Sequence, residues 1–426
     1  MDCSNDFLEL QKSLESLCEE SYDSVKEMIK TKFLRTKYEK ECLAHFINCT
    51  ARFRPFSIPL LVRLVTNIED DEFKNIIFDE LNGRTVSEIG RHFITYCLLK
   101  EKYFNIAEIV KLIEHYMETD IVPLYDALYI WFAPELKEYN EELFAKIQKP
   151  NPDYLSPELE SFWNKRDELF NNDFELLKKL RDDGLNDANY IRAFLNDDVQ
   201  ALEGIDLETE VSPCCYDRFF ILQSSPKLIH LAAYFNAVNC FNYLISRGAD
   251  LESKDGYGRT VPLYAFAGGS EKIIPLIDVA ANTSRGLLIA TSNHRNNIFD
   301  LLSKSLTNDD LLANYGSILH QACGTNNVYV LLECIKKNYD INKKNSNDET
   351  PLHYAAQYGH FDIVKILLSQ KDIDVNPQNK KGETPLHLSI GSCATTTALA
   401  LLDSPKINLS LTAGVYLFIF SFLYII

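Results

Sequence analysis

Apolar residues recur at helical spacing in two short segments between Asp348 and Leu368, and a glycine separates the segments. Thr350 is a good helix N-cap because its hydroxyl can accept from the first turn, and Pro351 suits the first helical position. Gly359 fits the left-handed conformation that ends a short helix. The pattern therefore predicts a two-helix hairpin of about 20 residues, which is too small to bury its own apolar face and needs stacked copies.

Copies of this hairpin recur in the second half of the chain. His353, in the first helix of the hairpin, is followed 34 residues later by His387 and preceded 33 residues earlier by His320. A further copy contains His230, and Tyr264 occupies the histidine position 34 residues after it. A repeat of this period predicts a stack in which each unit packs on its neighbours.

One unit of the stack is degenerate. Residues 289–302 align with residues 231–244, which places Leu288 in the histidine position, only 24 residues after Tyr264. One unit is therefore shortened, and the pattern predicts about six units over residues 191–412.

The phased motif resembles the ankyrin repeat, whose period is about 33 residues and whose signature is T-P-L-H-x-A. The resemblance implies an all-α fold in which an ankyrin-repeat solenoid follows an α-helical N-terminal domain, with a binding face on the concave side. A histidine that recurs with the repeat is best explained by a repeated structural hydrogen bond rather than by catalysis. The residues assigned to the structural motif are Thr350, Pro351, Leu352, His353, Gly359, Thr384, Pro385, Leu386 and His387.

Residues 1–190 lack the repeat motif but show helical apolar periodicity throughout, which predicts an α-helical bundle or solenoid. The segment 51–65 resembles the helical N-terminal region of large protist ankyrin families. Residues 186–226 together with the His230 unit resemble an uncharacterised domain that often precedes ankyrin repeats. Residues 191–202 are predicted to form a half-repeat that shields the first full hairpin, because a terminal unit would otherwise expose its apolar face.

Composition and charge narrow the possible partners and compartment. The chain is 46% apolar, so it can form large cores, and its net charge of −18 disfavours nucleic acid and favours solvated helix faces or basic partners. The acidic N-terminus has no secretory signal features, and the eleven cysteines follow no disulfide framework. We therefore expect reduced thiols and a cytoplasmic protein.

The sequence contains no phosphate-binding loop, dinucleotide fingerprint, zinc-protease motif or nucleophile elbow, so we expect no enzyme, no cofactor and no small-molecule substrate. Cys42, His45 and Cys49 have spacing that could place three zinc ligands on one helix face. We favour buried thiols beside a helix histidine and predict no metal site. Adjacent Cys214 and Cys215 are expected to be packed and inert, since neighbouring cysteines rarely form a relaxed disulfide.

The remaining candidate function is binding of another protein, whose identity the sequence does not specify, through exposed first-helix positions and loop tips. Tyrosines there suit a binding face because aromatic side chains are enriched in binding hot spots. Alternatively, these rings fill the groove between neighbouring repeats. The candidate partner-binding residues are Leu231, Tyr234, Phe235, Tyr354, Gln357, Tyr358, Asn347, Asp348, Lys380 and Lys381.

The last segment, residues 413–426, is apolar and departs from the repeat motif, although the repeat keeps phase through Leu411. Residues 407–426 contain no charge, which is near the length that crosses a bilayer. The favoured interpretation is a prematurely ended or frame-shifted repeat, and the alternative is a membrane-tethered adaptor anchored by this tail.

Overall fold

The computed structural model describes residues 4–82, 92–119, 122–147, 157–184, 189–212, 224–304, 318–392 and 394–412. Within these residues the fold is all-helical, and β-structure is limited to two isolated bridges. The expected all-α fold is therefore confirmed. The helices are α1 (Ser4–Glu15), α2 (Tyr22–Lys32), α3 (Lys37–Phe53), α4 (Ile58–Thr66), α5 (Asp71–Asn82), α6 (His92–Lys100), α7 (Ile106–Glu118), α8 (Val122–Tyr139), α9 (Glu141–Lys146), α10 (Pro157–Asp183), α11 (Asn189–Asn196), α12 (Leu228–Tyr234), α13 (Val238–Ser246), α14 (Val261–Gly268), α15 (Thr283–Ser292), α16 (Asn296–Lys304), α17 (Val328–Lys336), α18 (Pro351–Gln357), α19 (Phe361–Leu368), α20 (Pro385–Gly391) and α21 (Thr395–Leu402).

The chain forms two compact units. The helical unit comprises residues 14–261, and the repeat unit comprises residues 1–13 together with 262–426. The division falls inside the predicted repeat array rather than near residue 190, so the helical unit contains the first repeat hairpin, α12–α13.

In the helical unit, α3, α7 and α9 begin at side-chain caps, and helices pack as pairs. At the start of α3, Glu39 N donates to Thr36 Oγ1 (3.2 Å) while Thr36 N donates to Glu39 Oε2 (3.1 Å). This reciprocal capping box satisfies two N–H groups that the helix leaves unpaired. α3 packs against α5, and α7 packs against α8. The core includes Phe46, Phe73 and Trp131, all fully buried.

A partly buried ion pair joins α10 to α8. The Arg181 guanidinium donates to both carboxylate oxygens of Glu135 (2.7 and 2.8 Å) and to the Trp131 carbonyl (2.6 Å). The carbonyl lies next to the bend of α8 at Phe132, two residues before Pro134. A proline removes one helical N–H, and such bends leave carbonyls that need other donors.

The predicted half-repeat is present as α11 and the 3₁₀ turn Gln200–Leu202. Ile191 and Phe194 of α11 are buried, and the Asp197 carboxylate accepts from the backbone N–H of Asn239 (3.1 Å) and Cys240 (2.9 Å). These N–H groups open α13, where a carboxylate is favoured by the helix dipole. The half-repeat therefore caps the first full hairpin.

In the repeat unit, hairpins are formed by α15–α16, by the helical residues 318–324 with α17, by α18–α19 and by α20–α21. The degenerate unit thus still forms a hairpin, α15–α16. A residue with positive φ ends the first helix of three of these hairpins: His294 (55°), Asn326 (59°) and Gly359 (75°). The predicted left-handed role of Gly359 is confirmed.

Residues 4–13 belong to the repeat unit, which the sequence pattern did not predict. Gln11 is buried: its Oε1 accepts from Tyr329 N (3.2 Å), and its amide nitrogen lies 2.9 Å from Nδ1 of His294. The Nε2 of His294 lies 2.7 Å from the Thr325 carbonyl. The N-terminal residues are therefore tied to two hairpins through one glutamine.

Candidate functional site

Two of the motif histidines, His353 and His230, are held at both ring nitrogens by the main chain. Thr350 N donates to Nδ1 of His353 (3.0 Å), and Nε2 lies 3.1 Å from the Glu383 carbonyl of the next repeat. Since Nδ1 accepts a hydrogen bond, the ring proton is on Nε2, which donates to the carbonyl. His230 repeats the arrangement with Lys227 N (3.1 Å) and Ser253 O (3.0 Å).

The direction of the pKa shift of the motif histidines agrees with a structural role. Burial lowers the pKa of His230, His353 and His387 below the ordinary histidine value. A charged ring would carry a proton on Nδ1, where a backbone N–H already points. His230 and His353 are therefore neutral rings that hold the loop after their own helix pair in place.

In three repeats, the residue before the second helix, or the helix N-cap, donates from its side chain to a carbonyl of the preceding repeat. Arg295 Nε donates to Ala267 O (2.8 Å), and Asn327 Nδ2 donates to Thr291 O (3.0 Å). At the corresponding position His360 Nε2 lies 3.1 Å from Gly324 O. Three different residue types make the same contact, so the contact persists where the sequence motif is lost.

Tyr354 and Tyr358 lie together on one face of the repeat unit, but their environments differ. Tyr354 packs edge-on against His320 (5.1 Å between ring centroids), and its hydroxyl accepts from Asn345 Nδ2 (3.3 Å). A Cβ added at Gly324 would lie 3.2 Å from the Tyr354 ring. Tyr354 therefore fills the groove between repeats. Tyr358 is 50% exposed, and Gln357 beside it is exposed.

The two C-terminal loop tips are rigidified by asparagine. Asn345 Oδ1 accepts from the backbone N–H of Asn347 (2.8 Å) and of Glu349 (3.0 Å). Asn379 Oδ1 makes the equivalent bonds to Lys381 N and Glu383 N, both 2.9 Å. These short side-chain bonds hold each tip as an Asx-type turn.

The candidate residues on these tips are accessible to a partner. Lys380 N donates to Asn347 O (3.0 Å), which joins the consecutive tips. Asn347, Lys380 and Lys381 are exposed, while Asp348 is half-buried with a positive φ of 60°. Within the described residues, neither lysine side chain is paired with a carboxylate.

The expectation that Leu231 and Tyr234 are exposed is wrong. Leu231 is fully buried and Tyr234 is 9% exposed. The ring of Phe235 lies against Phe56 of the helical region, with centroids 6.5 Å apart, and contacts Tyr234 at 5.0 Å. These side chains of the first repeat hairpin pack within the helical unit. Alignment of the repeat motif alone does not show this packing.

The helical unit contains a polar cluster of His45, Cys49 and Glu80, and the sequence spacing did not suggest Glu80 as a member. His45 Nδ1 lies 2.9 Å from Glu80 Oε1, and His45 Nε2 lies 3.9 Å from Cys49 Sγ. Although burial lowers the pKa of His45, the contacts with Cys49 and Glu80 raise it well above the ordinary value. Glu80 is 35 residues from His45, on α5, so no local spacing marks it.

The predicted tail at 413–426 and the pair Cys214–Cys215 lie outside the described residues. Among the residues that the structure describes, no helix has the length and apolar character needed to span a membrane.

Comparison with known proteins agrees with the repeat geometry. Residues 319–412 match the family described as Ankyrin repeats (3 copies). Human Transient receptor potential cation channel subfamily A member 1 is 30% identical over 157 residues, which are 33% of this chain and 14% of the channel. The ankyrin repeat protein FPV223 of fowlpox virus is 24% identical over 140 residues, which are 33% of this chain and 81% of the viral protein.

Among solved structures, the human ASB11 ankyrin repeat domain corresponds to 52% of this chain and 99% of its own, with 18% identity and a TM-score of 0.37. The chain spans only 14% of the length of the channel that it matches.

Proposed function

We propose, starting from the ankyrin repeats at residues 319–412, that this chain is a scaffold that binds another protein through the exposed face of those repeats. Ankyrin repeats generally mediate protein–protein interaction. The proposed contact surface, called the Tyr358 face below, consists of Gln357, Tyr358, Asn347, Lys380 and Lys381.

The observation that carries the proposal is the half-exposed ring of Tyr358 on a rigid support. The ring stacks on His360 (6.4 Å between centroids, 21° between planes), and His360 is itself anchored to Gly324 O. A pre-positioned tyrosine loses little conformational entropy on binding and offers both apolar area and a hydroxyl, which is the character of a binding hot spot.

The fixed tips extend this surface. Because Asn345 and Asn379 hold their loops, Lys380 and Lys381 project from an ordered backbone, and their charges are available to a partner. Tyr354 has a supporting role, since its ring and hydroxyl are already used within the repeats. We therefore assign a supporting role to Tyr354 and a binding role to Tyr358, although sequence spacing alone does not distinguish them.

A photoreactive aromatic residue placed at position 358 tests the proposal in the full chain. In an extract of the source cells we expect one set of proteins to be crosslinked from position 358 and not from position 301. Leu301 is the matched control because it is also 50% exposed and lies on the second helix of a repeat.

The captured protein is then purified for affinity measurements. Tyr358→Ala should weaken binding about 30-fold, because truncation of a hot-spot residue costs about 2 kcal/mol or more. Leu301→Ala should change the affinity less than about twofold, as expected for a residue outside the contact. Equal crosslinking from both positions, or unchanged affinity of Tyr358→Ala, would overturn the Tyr358 face as the binding surface.

A further inference from the structure

The helical unit contains a cluster of His45, Cys49 and Glu80. His45 and Cys49 are four residues apart on α3, so their side chains share one helix face. Glu80 comes from α5, which packs against α3. Three chemically reactive groups are thus brought together by the packing of two helices.

The carboxylate fixes which ring nitrogen faces the thiol. A carboxylate can only accept hydrogen bonds, so Nδ1–H of His45 donates to Glu80 Oε1 at 2.9 Å. Glu80 is itself held in place, because Asn48 Nδ2 donates to the same oxygen (3.0 Å) and to the Glu80 carbonyl (3.2 Å). Nε2 is then directed toward Cys49 Sγ.

The distance between these two atoms suits a shared cation. Nε2 and Sγ are 3.9 Å apart, at the long end of the range for hydrogen bonds to sulfur. With zinc bond lengths of about 2.1 Å to nitrogen and 2.3 Å to sulfur, a tetrahedral angle places the two ligand atoms about 3.6 Å apart. The observed pair is within a few tenths of an ångström of that separation.

We propose that the helical unit binds a soft divalent cation of the zinc class through His45 Nε2 and Cys49 Sγ, with Glu80 as the residue that orients the imidazole. Thiolate and imidazole ligands select such metals over magnesium or calcium. A carboxylate on the second ring nitrogen is the usual outer partner of a metal-binding histidine. Cys49 is partly exposed, so the cation and completing water ligands have access.

Metal binding by His45 and Cys49 requires loss of one proton and formation of two coordinate bonds. The Cys49 thiol loses its proton to solvent, and the thiolate sulfur and the Nε2 lone pair each form one bond to the cation. No oxidation or reduction occurs. The sequence spacing alone favoured ordinary buried thiols, and the position of Glu80 is the new observation.

Cobalt(II) is the probe, because a thiolate bound to cobalt gives a near-ultraviolet sulfur-to-metal charge-transfer band. The reduced, metal-free full chain should bind one equivalent of cobalt with this band, and zinc should remove it. Cys49→Ser should lose the band. Cys18→Ser, which removes an exposed thiol elsewhere on the unit, should keep it.

Glu80→Gln tests the orienting role without touching either ligand. We expect a loss of cobalt affinity of about 10- to 100-fold, the range for outer partners of metal-binding histidines. Far-ultraviolet circular dichroism of each metal-free variant establishes that the helices are intact. Absence of the band in the wild-type chain, or its persistence in folded Cys49→Ser, would overturn the site. An unchanged affinity in Glu80→Gln would overturn the assigned role of Glu80.

Discussion

His353 in the repeat unit and Asp126 in the helical unit are buried polar side chains with opposite surroundings. In the repeats, His353 is completely buried and both ring nitrogens bond to the main chain. In the helical unit, Asp126 of α8 is also completely buried, yet neither carboxylate oxygen has a hydrogen-bond partner in the described part of the chain. His45 is held by the side chains of Glu80 and Cys49.

This difference shows what a repeat architecture provides. Every hairpin presents the same backbone N–H and carbonyl groups at the same places, so one residue type can be reused to satisfy them. The helical unit has no such periodicity, and each buried polar group depends on whichever side chains its neighbours supply. Stability should therefore respond to pH in opposite directions at His353 and at Asp126.

The largest effect is expected at Asp126. Burial raises the pKa of this carboxyl from 3.8 to about 7. A folded pKa above the unfolded one lowers stability as pH rises through this interval, by about 4 kcal/mol above pH 7. Asp126→Asn should therefore stabilise α8 by up to about 4 kcal/mol at pH 8, and by about 2 kcal/mol less at pH 5.5.

Hydrogen exchange of the α8 amides measures this stability within the helical unit. Glu114→Gln is the control because Glu114 is exposed on the neighbouring helix α7, and it should change exchange little. If Asp126→Asn gives the same change at pH 8 and pH 5.5, the buried carboxyl is not the source of the pH dependence.

A somewhat smaller effect is expected from His353→Ala. The substitution leaves Thr350 N–H and Glu383 C=O without their partner, at a cost of about 3 kcal/mol for the two buried groups. Hydrogen exchange in α18 and α19 should accelerate accordingly. Gln357→Ala, on the same helix but exposed, should cost less than about 0.5 kcal/mol.

The same variant tests the sign of the pH effect in the repeats. The folded pKa of His353 is below its ordinary value of 6.5, so its stabilisation is complete above that pH and decreases as pH falls through and below it. Removing the histidine should make α18 and α19 less sensitive to acid. Equal acid sensitivity with and without His353 would contradict the neutral, main-chain-anchored ring.

Gly286→Ala addresses the degenerate repeat and has the smallest expected effect. A Cβ at this position would lie 2.6 Å from two ring atoms of Phe266 and 3.0 Å from Leu302. Overpacking of this kind costs about 2 kcal/mol. Gly391→Ala is the matched control, since no atom lies within 4 Å of its added Cβ. Calorimetric unfolding should show a lower transition temperature for Gly286→Ala alone.

Sequence periodicity predicted the repeat hairpins because each role there is local. Thr350, Pro351 and Gly359 act within one hairpin, and His353 bonds to main-chain atoms that any sequence supplies. The Gln11 contacts and the Glu80 contact with His45 were missed because each joins residues distant in sequence. Nothing in the spacing of apolar positions encodes such pairs.

The candidate surface was predictable only in part, for a related reason. Motif alignment places Tyr234, Tyr354 and Tyr358 on the same helix face, but it cannot say which ring a neighbouring element covers. Tyr234 is buried and Tyr354 packs against His320, which leaves Tyr358 exposed. Three-dimensional packing therefore selects one residue from three candidate positions.

Consecutive loops of the repeat unit are also joined by an asparagine ladder. Asn342 bonds to Asp372 O (2.7 Å) and Asp374 N (2.9 Å), and Asn376 bonds in the same way to Lys406 O and Asn408 N, both 2.8 Å. Each of these asparagines joins adjacent repeats only. A mechanical force that pulls on the two ends of the repeat unit would therefore break these hydrogen bonds one repeat at a time. We expect the repeats to unfold in steps, with one hairpin extended in each step.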